Sequence, residues 1–231
     1  VAATLMDLGL NVYQGYGITE TSPVIAAEAP TVKRLGTVGK PIPGVEVKIH
    51  DANSEGVGEI WAKGPNIMLG YYNNQQATNE AITDGWYHTG DLGCLEDDGY
   101  LRICGRLKNL IVTANGKNVY PEEVENEILN SPFVAEIMVY GHKVDNTSEE
   151  VYAMIYPDQD ALDAFAAETD SAPFDPQEVE NLIRKEILER GKNLADYKRI
   201  KRFTLRDIEF PKTTTRKIKR FVVEADIDAE G

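Results

Sequence analysis

The chain changes texture once, and that change limits its possible folds more than any other feature. Up to residue 106, Gly and Pro turns cut the sequence into short alternating segments, and beyond 109 it runs in longer amphipathic stretches. The boundary lies within Gly105–Glu125, GRLKNLIVTANGKNVYPEEVE. A start with room to bend leads into the apolar strand Leu110-Ile111-Val112. Asn115-Gly116 follows, the pair that best tolerates positive φ in a tight turn. Pro121 then opens a helix where its missing N–H costs nothing, and Glu122 and Glu123 suit the positive end of that helix dipole. The reading is two folding units, 1–106 and 110–231, joined at Leu107-Lys108-Asn109.

The fold class expected from this pattern is α+β. In the first unit Leu8, Leu10 and Val12 alternate into a loop, Gln14–Glu20. Val45–Ile49, Gly58–Ala62, Trp86–His88 and Tyr100–Ile103 read as strands. Asp84-Gly85 and Asp98-Gly99 make hairpin turns before the last two. Asn73–Ala81 reads as a short helix. Short strands at this spacing predict an antiparallel, barrel-like or sandwich arrangement.

The second unit reads as an open sheet covered by helices. Helices are predicted over Pro121 to Asn130, Asp160–Glu168, and from an N-cap at Asp175 to a stop at Gly191. Pro176 and Glu178 complete the start of that last helix, and Val179, Leu182, Ile183 and Ile187 give it an apolar face. Strands are predicted at Val134–Tyr140, Val151–Tyr156 and Ile200–Arg206, with a loop over 169–174.

Composition removes several function classes. The net charge of -14 argues against nucleic acid as a partner. No apolar run is long enough to span a membrane, and nothing at the start reads as a signal peptide. Cys94 and Cys104 sit in apolar, strand-like surroundings, which implies buried thiols in a reducing cytoplasm rather than a disulfide or metal site. The charge is uneven, because residues 190–220 hold twelve Lys/Arg against three Asp/Glu. The chain begins at Val1, within what reads as the end of an amphipathic helix, so a C-terminal portion of a longer protein is expected.

Four places carry chemistry. In Gln14–Glu20 a tyrosine stands between Gly15 and Gly17, which let a backbone turn and a ligand approach. Tyr16 offers a ring face, Thr19 a hydroxyl, and Glu20 a hard oxygen suited to Mg²⁺. Alone, it reads equally as an ordinary glycine turn. In Tyr87-His88-Thr89-Gly90-Asp91 a strand runs into a turn, where the carboxylate could hold a vicinal diol or cap its own backbone. His88 reads as a packed strand residue. Arg106 suits ribose or phosphate oxygens, or a surface ion pair, and Lys108 reads as a solvated side chain at the bend. In Pro211–Ile218, PKTTTRKI, threonines and cations could cradle an oxyanion, or form an exposed basic tail.

The order and separation of these segments resemble the adenylate-forming superfamily of acyl-CoA synthetases, peptide-synthetase adenylation domains and luciferase. QGYGITETSP is similar to its adenine loop, WYHTGD to its ribose-binding aspartate motif, GRLKNLIVTANGKNVYPEEVE to its hinge motif and PKTTTRKIKR to the motif bearing its C-terminal lysine. The resemblance implies that residues 1–106 end a large adenylating domain and that 110–231 form a small mobile one. It implies that Tyr16, flanked by Gly15 and Gly17, packs on adenine, and that Thr19 contacts the α-phosphate. Glu20 helps hold Mg²⁺, Asp91 and Arg106 bind ribose, and Lys108 is the pivot. Lys217 contacts carboxylate and phosphate in a first half-reaction, and Gly116 faces the active site in a second. ATP or AMP, Mg²⁺, CoA and a small carboxylic acid are the implied ligands, with peripheral membrane contact left open.

The motifs look most like those of bacterial long- or medium-chain fatty acyl-CoA ligases. An acyl-AMP ligase or carrier-protein loading domain, and a non-enzymatic nucleotide-binding fragment, are the alternatives. Three departures stand out. The family's phosphate loop is absent and belongs upstream, in a missing N-terminal part, so these residues alone are not expected to adenylate an acid. Asn109 stands where many relatives have an acid, and Arg216 where they have glycine.

Overall fold

The computed structural model describes residues 2–144, 148–169 and 172–230. The chain divides between Lys108 and Asn109 into two compact units, and each is described by itself. Of the loop expected over 169–174, residues 170 and 171 lie outside the described residues.

Alternation builds the first unit. A short helix α1 (Ala2–Asp7) is followed by strands β1 (Gly15–Gly17), β2 (Val24–Ala27), β3 (Lys40–Pro41), β4 (Glu46–His50) and β5 (Gly58–Lys63), helix α2 (Gln75–Ala81), and strands β6 (Ile82–Thr83), β7 (Trp86–Leu95) and β8 (Leu101–Arg106). Strands β1-β2-β3 form one antiparallel sheet, and β4-β5-β7-β6, with β8 added to β7, form a second. In β5 the residues Gly58, Ile60 and Ala62 are buried while Glu59, Trp61 and Lys63 point the other way, as a period of two requires. Ile60 packs with Ala26, Leu101 and the flank of Tyr16, and Ala62 packs with Ile25 and Val45. The opposite face of the second sheet is aromatic. Trp61 lies stacked between His50 and His88, with ring centroids 3.9 Å away on each side. His88 is thus a packed strand residue, as its sequence setting suggests.

Two local expectations change. Leu8, Leu10 and Val12 belong to no strand; Leu8 and Leu10 are exposed, and alternation without a sheet to pack on does not make a strand. The Gln14–Glu20 loop is partly strand, because Gly15, Tyr16 and Gly17 pair with Ala27, Ala26 and Val24.

The second unit begins with a hairpin, β9 (Ile111–Val112) and β10 (Asn118–Val119), and helix α3 (Pro121–Ile128). Strands β11 (Val134–Lys143) and β12 (Glu149–Pro157), helices α4 (Gln159–Glu168) and α5 (Pro176–Gly191), strand β13 (Arg202–Leu205) and helix α6 (Arg220–Glu230) follow. The sheet runs β11-β12-β13, antiparallel then parallel. A parallel neighbour needs a crossover, and α4 and α5 supply it. One sheet face (Ile137, Val139, Val151, Ile155) is covered by Val124 and Ile128 of α3 and Ile183 and Ile187 of α5. The other face (Met138, with Tyr140 and Met154 beside it) is covered by Phe210 and by Val223 of α6. The capping box that starts α5 is present, with the Glu178 N–H donating to Asp175 at 2.8 Å and the Asp175 N–H donating to Glu178 at 2.9 Å. Gly191 is not a left-handed stop. It is the buried last residue of α5, and its carbonyl accepts from Nε of Arg199 at 3.0 Å.

Candidate functional site

Tyr16 reaches across the first unit from one sheet to the other. Its hydroxyl donates to Oδ2 of Asp91 at 2.7 Å. On the second sheet Asp91 lies opposite Arg106 in the β7–β8 register, and Nε of Arg106 stands 2.9 Å from Oδ1. Asp91 is 5% exposed, and each of its carboxylate oxygens meets one of these two donors. Burial, and then the neighbouring Asp91 charge, push the Tyr16 phenol well above its ordinary range. It therefore stays protonated and remains a donor.

Asp91 lies within β7 rather than at its exit. The strand continues through it to Leu95. What fixes it is a set of contacts from β5. Oγ1 of Thr89 donates to the Ile60 carbonyl at 2.7 Å and accepts from the Asp91 N–H at 3.1 Å. Gly90, at φ 67°, donates its N–H to Glu59 at 2.9 Å, and the second carboxylate oxygen of Glu59 accepts from the Trp61 indole at 2.8 Å.

Of the two glycines around Tyr16, Gly17 serves close approach rather than a sharp turn, while a Cβ on Gly15 would meet only ordinary contacts. Neither takes positive φ. A Cβ built on Gly17 would sit 1.7 Å from the Pro23 carbonyl oxygen, an overlap that no backbone could absorb in place.

Thr19 and Glu20 form a 3₁₀ turn, Thr19–Thr21, just after β1. The Glu20 carbonyl accepts from the Met68 N–H at 2.8 Å, and its Oε1 accepts from the Tyr71 hydroxyl at 3.1 Å. Burial, then the hydrogen bond with Tyr71, push the Tyr87 phenol up, and the charges of both Glu20 and Asp91 act on it in the same direction. Glu20 and Asp91 thus share one electrostatic neighbourhood. No group of three His, Cys, Asp or Glu among the described residues could hold a metal alone. An ion here would take Glu20 and complete its shell from phosphate oxygens and water, a habit of Mg²⁺.

In the second unit, Lys217 stands at the exposed end of a tight turn. Thr213 N–H donates to the Lys217 carbonyl at 2.8 Å, and Arg216 N–H donates to the Thr213 carbonyl at 2.9 Å. Lys217 N–H donates to Oγ1 of Thr213 at 3.1 Å. Arg216 has φ 62°, so it adopts the backbone conformation a glycine would supply there. The base of the turn is tied on both sides. Lys212 pairs with Glu136 of β11 and with Glu209, and the Phe210 N–H donates to Glu136 at 3.0 Å. Arg220 pairs with Glu125 of α3 and donates to the Val139 carbonyl at 2.7 Å.

Gly116 lies in the β9–β10 turn at φ 66°, and Asn115 needs no positive φ. Lys108 sits in a 3₁₀ turn, Leu107–Asn109, and is exposed. Asn109 donates its amide to Glu122 at 3.0 Å; an acid there would meet that carboxylate with like charge.

Of the residues singled out from sequence, Tyr16, Asp91 and Arg106 converge, with Glu20 in their field. Gly116 and Lys217 belong to the other unit. Sequence reasoning missed Tyr71, Glu59 and Thr89. The pattern Gly70-Tyr71-Tyr72 was the one local signal for Tyr71, while Glu59 reaches Gly90 and Thr89 reaches Ile60 through strand register.

Residues 1–72 match the family model for AMP-binding enzymes, and residues 123–217 match that for the AMP-binding enzyme C-terminal domain. Long-chain-fatty-acid–CoA ligase FadD15 of Mycobacterium bovis is 34% identical over 238 residues, covering 96% of this chain and 38% of that protein. The 2-succinylbenzoate–CoA ligase of Geobacillus kaustophilus is 41% identical over 174 residues, 70% of this chain and 35% of its own length. The solved structure of o-succinylbenzoate CoA synthetase (MenE) from Bacillus subtilis, in complex with the acyl-adenylate intermediate OSB-AMP, superposes with a TM-score of 0.78. Identity there is 30%, and coverage is 96% of this chain and 43% of that one. The chain spans 38% of the FadD15 ligase, less than half the length of this relative. With matches to both family models and the Tyr16–Asp91–Arg106 constellation in the first, the chain belongs to the adenylate-forming AMP-binding enzymes and corresponds to their C-terminal part.

Proposed function

We propose that the chain forms the C-terminal part of an ATP-dependent acyl-CoA ligase of the length of its relatives. The observation that carries this reading is the convergence of Tyr16, Asp91 and Arg106 on one buried carboxylate. In this reading Tyr16 packs against adenine between Gly15 and Gly17, and Asp91 and Arg106 hold the ribose hydroxyls. Thr19 contacts the α-phosphate, and Glu20 ligates Mg²⁺. The ion would neutralise charge on the phosphate oxygens. Lys217 adds a further positive charge where the acid's carboxylate oxygen bonds to the α-phosphorus and pyrophosphate leaves. The thiol of CoA then attacks the acyl carbon and AMP departs. Lys108 is the pivot on which the second unit turns between these steps, withdrawing Lys217 and bringing the Gly116 turn to the site.

The fatty-acid lean is supported by relatives named long-chain-fatty-acid–CoA ligases, while relatives named 2-succinylbenzoate–CoA ligases keep the acid class broad. No helix among the described residues is long and apolar enough to cross a membrane. Cys94 and Cys104 are not joined in a disulfide, which is compatible with a reducing, cytoplasmic setting.

The test is pyrophosphate exchange by the full-length protein over a panel of acids, followed by CoA consumption. Exchange with a fatty acid and stoichiometric loss of CoA thiol is the expected result. Exchange without CoA loss, with acyl transfer to a phosphopantetheinyl protein, would make it a carrier-loading enzyme. No exchange with any acid would leave a nucleotide-binding role.

A further inference from the structure

Strand β7 bulges away from β5 at the point where Asp91 stands. Glu59 lies opposite Leu92 and Trp61 opposite His88, so Thr89, Gly90 and Asp91 of β7 stand against Ile60 alone. On its other side Asp91 keeps register with Arg106 of β8. A bulge frees a side chain from the regular spacing of the ladder, and it disturbs the backbone pairing that a regular strand would make. Here side chains meet the displaced backbone. The Gly90 N–H donates to Oε1 of Glu59 at 2.9 Å, and the Asp91 N–H donates to Oγ1 of Thr89 at 3.1 Å. The same hydroxyl donates to the Ile60 carbonyl at 2.7 Å. Gly90 is at φ 67°, and a Cβ there would meet nothing within 4 Å, so glycine serves the left-handed backbone rather than close packing. Oε2 of Glu59 accepts from the Trp61 indole at 2.8 Å. Trp61 is stacked between His50 and His88, so the carboxylate is anchored on a packed aromatic column and reaches from it to the bulge.

We propose that Glu59 and Thr89 are positioning residues for ribose recognition, together holding the bulge from which Asp91 presents its carboxylate. This rests on the reading of Asp91 as the residue that binds the ribose hydroxyls. A carboxylate that must meet Tyr16, Arg106 and a vicinal diol at once tolerates little movement, and a displacement of about 1 Å is enough to spoil such a geometry. Neither Glu59 nor Thr89 needs to touch the nucleotide. Their work is done on the backbone on either side of the Gly90–Asp91 peptide bond. Glutamate suits the first position because it has two acceptor oxygens for two N–H donors. Glutamine has one, and would turn its NH₂ towards a donor.

The experiment is calorimetric titration of full-length protein with AMP and with 2′,3′-dideoxy-AMP, which lacks both ribose hydroxyls. The parent should bind AMP about tenfold or more tighter than the dideoxy nucleotide, the order a hydrogen bond to a charged group carries. Glu59→Gln should reduce that preference by about threefold or more, through weaker binding of AMP. Its affinity for 2′,3′-dideoxy-AMP should stay within about twofold of the parent's, because that ligand never uses the Asp91 carboxylate. Thr89→Val should act in the same direction, and Thr89→Ser, which keeps the hydroxyl, should retain the preference. This threonine pair decides the matter if Glu59→Gln does not fold. A parental preference in Glu59→Gln or in Thr89→Val would overturn the proposal, as would equal weakening of both nucleotides, the mark of general damage to the fold. Asp91→Ala separates the two levels. If that variant prefers AMP as the parent does, or if the parent shows no preference, the ribose reading itself fails. If Asp91→Ala loses the preference while Glu59→Gln and Thr89→Val keep it, only the positioning role is refuted.

Discussion

The Tyr16 hydroxyl and the Asp91 carboxylate meet at 2.7 Å from opposite sheets of the first unit, 75 residues apart in the chain. The contact orients a carboxylate that also holds Arg106, and it leaves the face of the Tyr16 ring for other work.

Tyr16→Phe and Asp91→Ala separate those two jobs. Phenylalanine keeps the ring and removes a donor from a buried charge, which costs about 1–3 kcal/mol of stability. Its AMP affinity should fall by less than about threefold, whereas Asp91→Ala should lose about tenfold or more if, as proposed, its carboxylate makes the charged hydrogen bonds to the ribose. Calorimetric titration of AMP and urea denaturation of both variants check this. Equal affinity losses would remove Asp91 from the ribose role.

Alkaline titration should single out three tyrosines. The phenols of Tyr16, Tyr87 and Tyr140 are all pushed above their ordinary range, mainly by burial. The folded protein therefore holds these protons to higher pH than the unfolded chain, which releases them near pH 10. Their contribution to stability is whole below that pH and declines as pH rises beyond it. Absorbance near the phenolate band should show less ionised tyrosine in native than in denatured protein at the same pH above 10; equal ionisation of the eleven tyrosines in both states would contradict it.

Gly17→Ala tests close approach. The added methyl would lie 1.7 Å from a backbone oxygen, so the β1–β2 pairing has to open. A loss of about 2 kcal/mol or more is expected from such overpacking. A urea midpoint equal to the parent's would mean that the strand has slack there.

The lysine turn offers a gain. Arg216 occupies a left-handed conformation that costs a side-chain-bearing residue about 1 kcal/mol. Arg216→Gly should therefore hold or slightly raise the thermal midpoint, while the β-branched Arg216→Val should lower it. If valine proved as stable as glycine, the turn would not impose that conformation.

Kinetics should divide the two pivotal lysines. Lys217→Ala should cripple pyrophosphate exchange and spare thioester formation from supplied acyl-AMP. Lys108→Pro, which restricts φ at the joint, should do the reverse. A Lys108→Pro enzyme with parental rates in both steps would exclude rotation at that residue.

What the sequence disclosed and what it hid follow from the range of the interactions. The Asp175–Glu178 capping box spans one helical turn, so three residues of sequence contain all its physics. Asp84-Gly85 closes the β6–β7 hairpin by equally local means. Gly15-Tyr16-Gly17 looked like a loop because glycine weakens strands, and what makes it a strand is its pairing with Val24–Ala27. The motif identified Tyr16, Asp91 and Arg106 by resemblance, but not that the first donates to the second. Glu59 carried no signal of its role and Tyr71 only the glycine beside it, since each acts on residues brought near by register or by packing.

The parallel pairing of β12 with β13 bears on how the protein assembles. Tyr152 aligns with Arg202 only after both crossover helices have formed and the long intervening segment has closed on itself. Loop closure of that length is among the slow events of folding. The Lys217 turn follows β13 in the chain, and its ties to Glu136 and Glu125 wait on the finished sheet. The Lys217 turn thus depends on pairings with residues far earlier in the chain. The carboxylate anchors of that turn lie in α3 and β11, Glu125 and Glu136.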